Sequence, residues 1–162
     1  EMTDPSTGRC GYNQRGGRSS RLVGEHGVRF PTDKGECMTS VSLLCRIFLG
    51  HTPDDDQLMK TQADLILKTP PKWDEADGSI DQYYWYYGSY ALYQMGDRYW
   101  KPWAKALDGA VVKTQRSDGN YHGSWDPAGV WGEHGGRVYS TAIQALTLMV
   151  YYRYSRVIPG AR

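Results

Sequence analysis

The sequence predicts an all-α protein built of stacked helical hairpins in two layers. Three observations carry that reading. Five segments show helical periodicity with recognisable start and stop signals. Covered helices, apolar or aromatic nearly all round, alternate along the chain with amphipathic ones. Tight turns lead from each covered helix to the next amphipathic one, whereas a long Gly-rich loop precedes every covered helix: "GYNQRGGRSS", "PPKWDEADGS" and "DGNYHGSWDPAGVWGEHGG".

Residues 1–36 read as an irregular loop region, residues 37–156 as helical repeats and residues 157–162 as a tail, all within one domain. A chain of 162 residues can bury roughly 70% of its unfolded surface in one core. The first helix runs from about Met38 to Leu49, "MTSVSLLCRIFL", and stops at Gly50. The second lies in "HTPDDDQLMKTQADLILK", with Thr52 as N-cap and Pro53 at the first helical position. There Asp54, Asp55 and Asp56 complement the helix dipole, and the helix ends at Pro70. The third, "IDQYYWYYGSYALYQM", spans about Ile80 to Met95. Asp97 caps the fourth, "RYWKPWAKALDGAVVKTQ", where Trp100, Ala104, Leu107 and Val111 share a stripe and Pro102 falls in the first turn. The fifth, "YSTAIQALTLMVYYR", runs from about Tyr139 to Arg153. A weak internal repeat supports stacking, because "TSVSLLCRIFLG", "GSYALYQMGDRY" and "STAIQALTLMVY" each place small residues before an apolar run.

Charge and composition exclude several function classes. With 19 basic and 18 acidic residues, a net charge of +1 gives no electrostatic basis for nucleic-acid or anionic-membrane binding. No apolar run approaches the ~20 residues of a membrane span. Glu1 in first position is expected to reflect processing or a longer parent chain. Cys10, Cys37 and Cys45 lack metal-ligand spacing and read as buried free thiols, with one disulfide from Cys10 as the alternative. The compartment stays open, exported or periplasmic as well as cytoplasmic. The outstanding bias is 13 Tyr and 6 Trp against 2 Phe, rings that pack at one end and hydrogen-bond at the other.

"TQRSDGNYHGSWDP" followed by "GGRVYSTAIQALTLMVYYRY" resembles the prenyltransferase and squalene-oxidase repeat of the terpenoid-cyclase and protein-prenyltransferase superfamily, and in particular repeat proteins of bacteria, planctomycetes among them. The resemblance covers roughly residues 10–156 and implies an α/α-toroid, here a partial one of about five main helices arranged as inner and outer hairpins. It also implies structural roles for Gln115, Gly119 and Trp125, which match the sense of the family's glutamine–tryptophan motif. On that pattern Gln115 satisfies a helix-end backbone group, Asp118-Gly119 makes the turn and Trp125 covers the joint between neighbouring hairpins.

The catalytic equipment of the family's branches is not matched. Asp54, Asp55 and Asp56 sit at a helix start, not as the cyclase DxDD acid. Gly35 in "KGECM" stands where a prenyltransferase zinc site has aspartate, and no CGEQ thioester motif occurs. No catalytic residue, metal ligand or cofactor is therefore assigned. His122, Asp126, Glu133 and His134 read as solvated or backbone-bound. The candidate ligand surface is aromatic: Tyr83, Tyr84, Trp85 and Tyr87 on the third helix, where some rings must face a cavity whichever way the helix rolls, with Arg137 and Tyr139 at the start of the last. The expected function is a non-catalytic scaffold or binding module with a concave Tyr/Trp-rich surface, holding a small apolar or aromatic ligand. The alternative is part of a cyclase-like or prenyltransferase-like enzyme whose catalytic residues lie elsewhere. The helix over residues 139–154 is expected to meet another chain or the rest of a longer one. Its predicted packing stripe is Ile143, Leu146, Met149 and Val150, and Leu148 and Tyr152 fall on neighbouring faces.

Overall fold

The computed structural model describes residues 2–158. Its helices are α1 (Glu25–Arg29), α2 (Cys37–Phe48), α3 (Gln57–Leu67), α4 (Gln82–Gln94), α5 (Asp97–Ala110) and α6 (Gly132–Arg153), with 3-10 turns at Val112–Thr114 and Gly119–Tyr121. Among the described residues the extended backbone pairing is confined to one bridge, Thr3 with Cys10. The fold is all-α.

α4 is the hub. It lies between α2 and α6, which form one layer with it, while α3 and α5 pack on each other and cover its back. The sequence of α4 dictates this position. On the outer-facing side, Gly88 lets the Trp103 ring of α5 approach so closely that a Cβ would sit 2.6 Å from it. Trp103 is fully buried and donates its indole N–H to Ser89 Oγ at 2.8 Å. Tyr84, also fully buried, donates its hydroxyl to Ile66 O at the end of α3 and packs edge-on against Trp103. Trp85 packs against Trp73 of the loop that follows α3. Tyr83, Tyr86, Tyr87 and Tyr90 keep exposed or half-exposed rings on the opposite side of the helix. The five consecutive aromatics are thus divided between two tasks by helical geometry alone.

Several element boundaries differ from the sequence reading. α3 starts at Gln57, not at Thr52–Pro53, because Asp56 is the real N-cap: its Oδ1 accepts from Leu58 N at 3.1 Å and its Oδ2 pairs with Arg46 of α2. Asp55 accepts from Thr52 N, so residues 52–56 form a turn and contribute no acids to the first helical turn. α4 begins one residue beyond Asp81, whose Oδ1 accepts from Tyr84 N at 3.0 Å. Asp97 opens α5, with Gly96 in the cap position. α6 extends back to Gly132 through a break at Gly136, whose φ of 67° and ψ of −171° are conformations that favour glycine. The Tyr139 start was legible as the helix proper, but not the turn leading into it.

The packing stripe of α6 is also corrected. Ser140, Ile143, Gln144, Thr147 and Val150 are buried, whereas Leu146 and Met149 are 36% and 39% exposed and Tyr152 is 86% exposed. Leu148 packs against the core. The buried stripe mixes polar and apolar residues, so hydrophobicity alone did not locate it. After α6 the chain turns back as a strap over the far end of α4. Gln94 Nε2 donates to Ser155 O at 2.9 Å, its Oε1 accepts from Val157 N at 2.7 Å, and Tyr154 stacks on Tyr90 at 4.2 Å. Ile158 is buried against the core. All three cysteines are free, and Cys45 is exposed, contrary to the expectation of buried thiols.

Candidate ligand-binding site

The N-terminal ends of α2, α4 and α6 converge on one rim, and the N-terminal loop closes over them. Ser19 fixes that loop: its Oγ donates to Gly35 O at 2.8 Å and accepts from Cys37 N at 3.3 Å. Arg9 grips Glu36 through Nε and Nη2, both near 2.9 Å, and Glu36 in turn accepts from Thr39 Oγ1. Gly35 is needed for closeness, since a Cβ there would meet the Tyr84 ring at 2.9 Å. On the other side His26 of α1 holds Val130 O at 2.8 Å, and Gly129, at φ 86°, lies so near Ile80 O that a Cβ would meet it at 2.3 Å. These contacts fix Trp131 at the edge of the rim, where its ring lies 6.0 Å from that of His26.

Between these walls lies a cavity of about 430 Å³ lined by Arg21, Cys37, Asp81, Tyr83, Trp131 and Tyr139, with Tyr12, Ser20 and Met38 around it. Its surface is mainly aromatic and aliphatic. The exception is Arg21 and Asp81, whose side chains are only 3% and 2% exposed and whose Nη2 and Oδ2 stand 3.2 Å apart. Arg21 Nη1 donates to Ser20 O, and Asp81 Oδ1 caps α4. Arg21 Nε and Nη2, Asp81 Oδ2 and the Tyr139 hydroxyl have no aligned hydrogen-bond partner. Four such atoms sit on residues that line one cavity, with others on Gln62, Gln82 and Gln144.

The electrostatics reflect the burial. Desolvation pushes the Asp81 carboxyl above its ordinary range, although Arg21 and the Tyr84 N–H act in the opposite direction. Burial likewise raises the Cys37 thiol far up, with the Asp81 charge adding to it, so Cys37 is held as the neutral thiol and not as a nucleophilic thiolate. Tyr139 is raised by burial and then by Asp81, and Tyr83 first by its hydroxyl contact with Tyr87. The cavity therefore holds neutral hydroxyls and a neutral thiol around one ion pair.

Of the residues singled out from sequence, Tyr83 and Tyr139 line this cavity and Tyr87 contacts Tyr83, with ring centroids 4.8 Å apart. Tyr84 and Trp85 are interior residues, Tyr84 set against α3 and α5 and Trp85 against Trp73. Arg137 lies outside the cavity: it pairs with Asp126, donates to Ser124 Oγ and stands 4.1 Å over the Tyr121 ring. Arg116 joins the same Asp126, so the aromatic loop over residues 114–127 is fastened by a two-arginine clamp. Trp125 is 3% exposed and donates its indole N–H to Val111 O at the end of α5 at 2.7 Å. Gln115 does not satisfy a helix-end group; its Nε2 donates to Gly123 O within the loop, because the indole already holds the helix end. Gly119 opens a 3-10 turn at φ 46°.

His122, Asp126, Glu133 and His134 do not assemble. Asp126 belongs to the clamp, Glu133 pairs with Arg29, and His134 faces the His26 ring. Among the described residues no group of three or more His, Cys, Asp or Glu is placed to hold a metal ion. A second cleft of about 300 Å³, near Asp74, Glu75 and Asp126, is polar. Asp74 there is paired with Lys72, and Asp126 with Arg137. Among the described residues no helix is long and apolar enough to cross a membrane.

Sequence reasoning missed Arg21 and Asp81. Asp81 carried a usable signal, an N-cap acid flanked by Ile80 and an aromatic run. Arg21 carried none, since it follows Arg15 and Arg18 in a stretch that reads as solvated loop. No family model, curated protein or solved structure matches this chain.

Proposed function

We propose that this chain is a non-catalytic binding module, an arc of an α/α-toroid of the prenyltransferase and squalene-oxidase repeat type, whose ligand enters the rim cavity beside the tyrosine face of α4. One observation carries the reading: an aromatic-walled cavity is bordered by a buried ion pair and a tyrosine hydroxyl that lack aligned hydrogen-bond partners. Ligand sites commonly combine an apolar wall with a few convergent polar groups in this way. The arc geometry is supported by the two layers, with α2, α4 and α6 as inner helices and α3 and α5 as outer ones. A binding role rather than catalysis is supported by the neutral thiol and by the absence, among the described cavity residues, of a nucleophile hydrogen-bonded to a base. The exposed face of α6 is the surface through which the arc meets another chain or the remainder of a longer one.

The test is ligand-observed NMR of the purified chain against neutral ring compounds and isoprenoid alcohols, with Trp131→Ala as control. Binding by at least one class, weakened in the variant and with no chemical change in the compound, is expected. Loss of all binding across the panel overturns the module, and turnover of a bound compound overturns the non-catalytic assignment.

A further inference from the structure

We propose that the rim cavity is a saccharide subsite that takes one neutral sugar ring, an inference that rests on the binding-module reading and names its ligand class. The argument begins with charge. Arg21 and Asp81 cancel each other inside the cavity, with Nη2 and Oδ2 at 3.2 Å. An anionic ligand would face the Asp81 carboxylate at short range, and a cationic one the guanidinium. Either would also have to be desolvated against a site that offers it no net compensation. Asp81 moreover already supplies the negative charge that the α4 N-terminus favours, through its contact with Tyr84 N. The ligand that fits is uncharged.

Hydrogen-bonding capacity narrows the class. The unmatched atoms include donors, Nε and Nη2 of Arg21, and an acceptor, Oδ2 of Asp81, with the Tyr139 hydroxyl able to act as either. An isoprenoid would leave Arg21 Nε and the Tyr139 hydroxyl without any partner, and a quinone, which only accepts, would leave Asp81 Oδ2 with its unaligned ion-pair contact alone. Neighbouring sugar hydroxyls each donate and accept, so one diol answers both members of the pair in either orientation. A nucleobase must present one fixed edge to do the same. These atoms are fully covered in the unliganded protein, so a diol reaches them only with a shift of the cavity side chains.

The walls agree with this chemistry. Tyr83, Trp131 and Tyr139 offer flat faces on which the C–H face of a pyranose packs, with their polar tips left for hydroxyls. Tyr12 and Tyr83 remain 62% and 37% exposed at the mouth, where a second ring of an oligosaccharide would rest. The exposed tyrosine face of α4 continues from Tyr83 through Tyr87, hydroxyl to hydroxyl at 3.5 Å, and extends to Tyr90.

The experiment is isothermal titration calorimetry with methyl glycosides of glucose, galactose, mannose and N-acetylglucosamine, and with their disaccharides, adenosine and farnesol as separate arms. At least one glycoside is expected to bind, and its disaccharide more tightly. Asp81→Asn, which keeps a capping side chain, should weaken it by about tenfold, as loss of a charged hydrogen-bond partner does. Tyr83→Ala, at the exposed mouth, should weaken the disaccharide more than the monosaccharide and leaves the interior untouched. Adenosine or farnesol binding with no glycoside bound overturns the sugar assignment and leaves the module standing. Glycoside binding unaffected by both substitutions overturns the site, and silence in every arm overturns the module itself.

Discussion

Trp125 illustrates how much one side chain does in this fold. Its indole closes the joint between α5 and the loop before α6, and its single polar atom donates to Val111 O, a carbonyl just past the end of α5 that Thr114 also reaches. Trp125→Ala should destabilise the protein by about 3–5 kcal/mol, as buried aromatic truncations do. Gln115→Ala should cost under about 1 kcal/mol, because Gln115 is exposed and bonds only to the loop. Urea denaturation of the two variants checks the ranking, and equal losses would contradict it. The burial of Trp125 was legible in the sequence, since a large aromatic in a Gly-rich loop needs a reason. Its bond to Val111 was not, because nothing in "SDGNYHGSWDP" says which residue of the preceding helix lies underneath. Arg21 was illegible for the same cause: a partner 60 positions away leaves no local trace.

At the scale of elements, helix existence was legible wherever apolar periodicity and a glycine stop coincided, as in α2 and α4. The misplacements fall where a side chain overrides propensity. Asp56, drawn to Arg46, delays the start of α3. The fully buried Gln62, Gln94 and Gln144 occupy positions that a hydrophobic pattern reads as outward. Gln94 is the most consequential, since its amide clasps the strap through Ser155 O and Val157 N while Arg156 pairs with Asp97. Gln94→Leu keeps the volume but removes both bonds, so the strap should open locally while α4 holds. Limited trypsin digestion should then cut after Arg153 and Arg156 several-fold faster than in the parent chain. Unchanged cleavage would show that the Arg156–Asp97 pair, the Tyr154–Tyr90 stack and Ile158 hold the segment without Gln94.

For the whole molecule, the all-α fold leaves one flank of α6 open: Val138, Met149 and Tyr152 are exposed beside Leu146. A shared interface on this flank predicts association at high concentration, reduced by Met149→Asp or Tyr152→Asp, as measured by light scattering. A monomer at all concentrations, indifferent to both, would leave the flank without a partner among copies of this chain. Acid response is a second global property. Asp77 is held to about 2 by Ser79, with burial opposing and Lys72 assisting. Asp97 is lowered by Arg156 and Lys101, and Asp118 by Arg116. Burial opposes a lower value for Asp126, but Arg137 and Arg116 prevail. Carboxyls lowered on folding stabilise above the unfolded value near 4, and that contribution is lost as pH falls toward about 2. Asp81 has the opposite sign: raised by burial, it opposes folding once ionised and ceases to do so when protonated. Stability should therefore decline between about pH 4 and pH 2, whereas Asp81 adds stability on acidification only above about pH 4, where the folded carboxyl protonates before the unfolded one, and Asp81→Asn should lose that gain.

The central claim is that the Arg21–Asp81 pair is kept for a ligand and not for the fold. Buried ion pairs cost much to break and little to replace whole, so a thermodynamic cycle separates the two roles. The measurement is the unfolding free energy in urea of Arg21→Met, Asp81→Asn and the double variant, with the unliganded protein as reference. Arg21→Met should lose about 3–5 kcal/mol by leaving a buried carboxylate uncompensated, whereas the double variant should come within about 1 kcal/mol of the parent or exceed it. A double variant as unstable as the worse single one would make the pair part of the structural core and contradict the account.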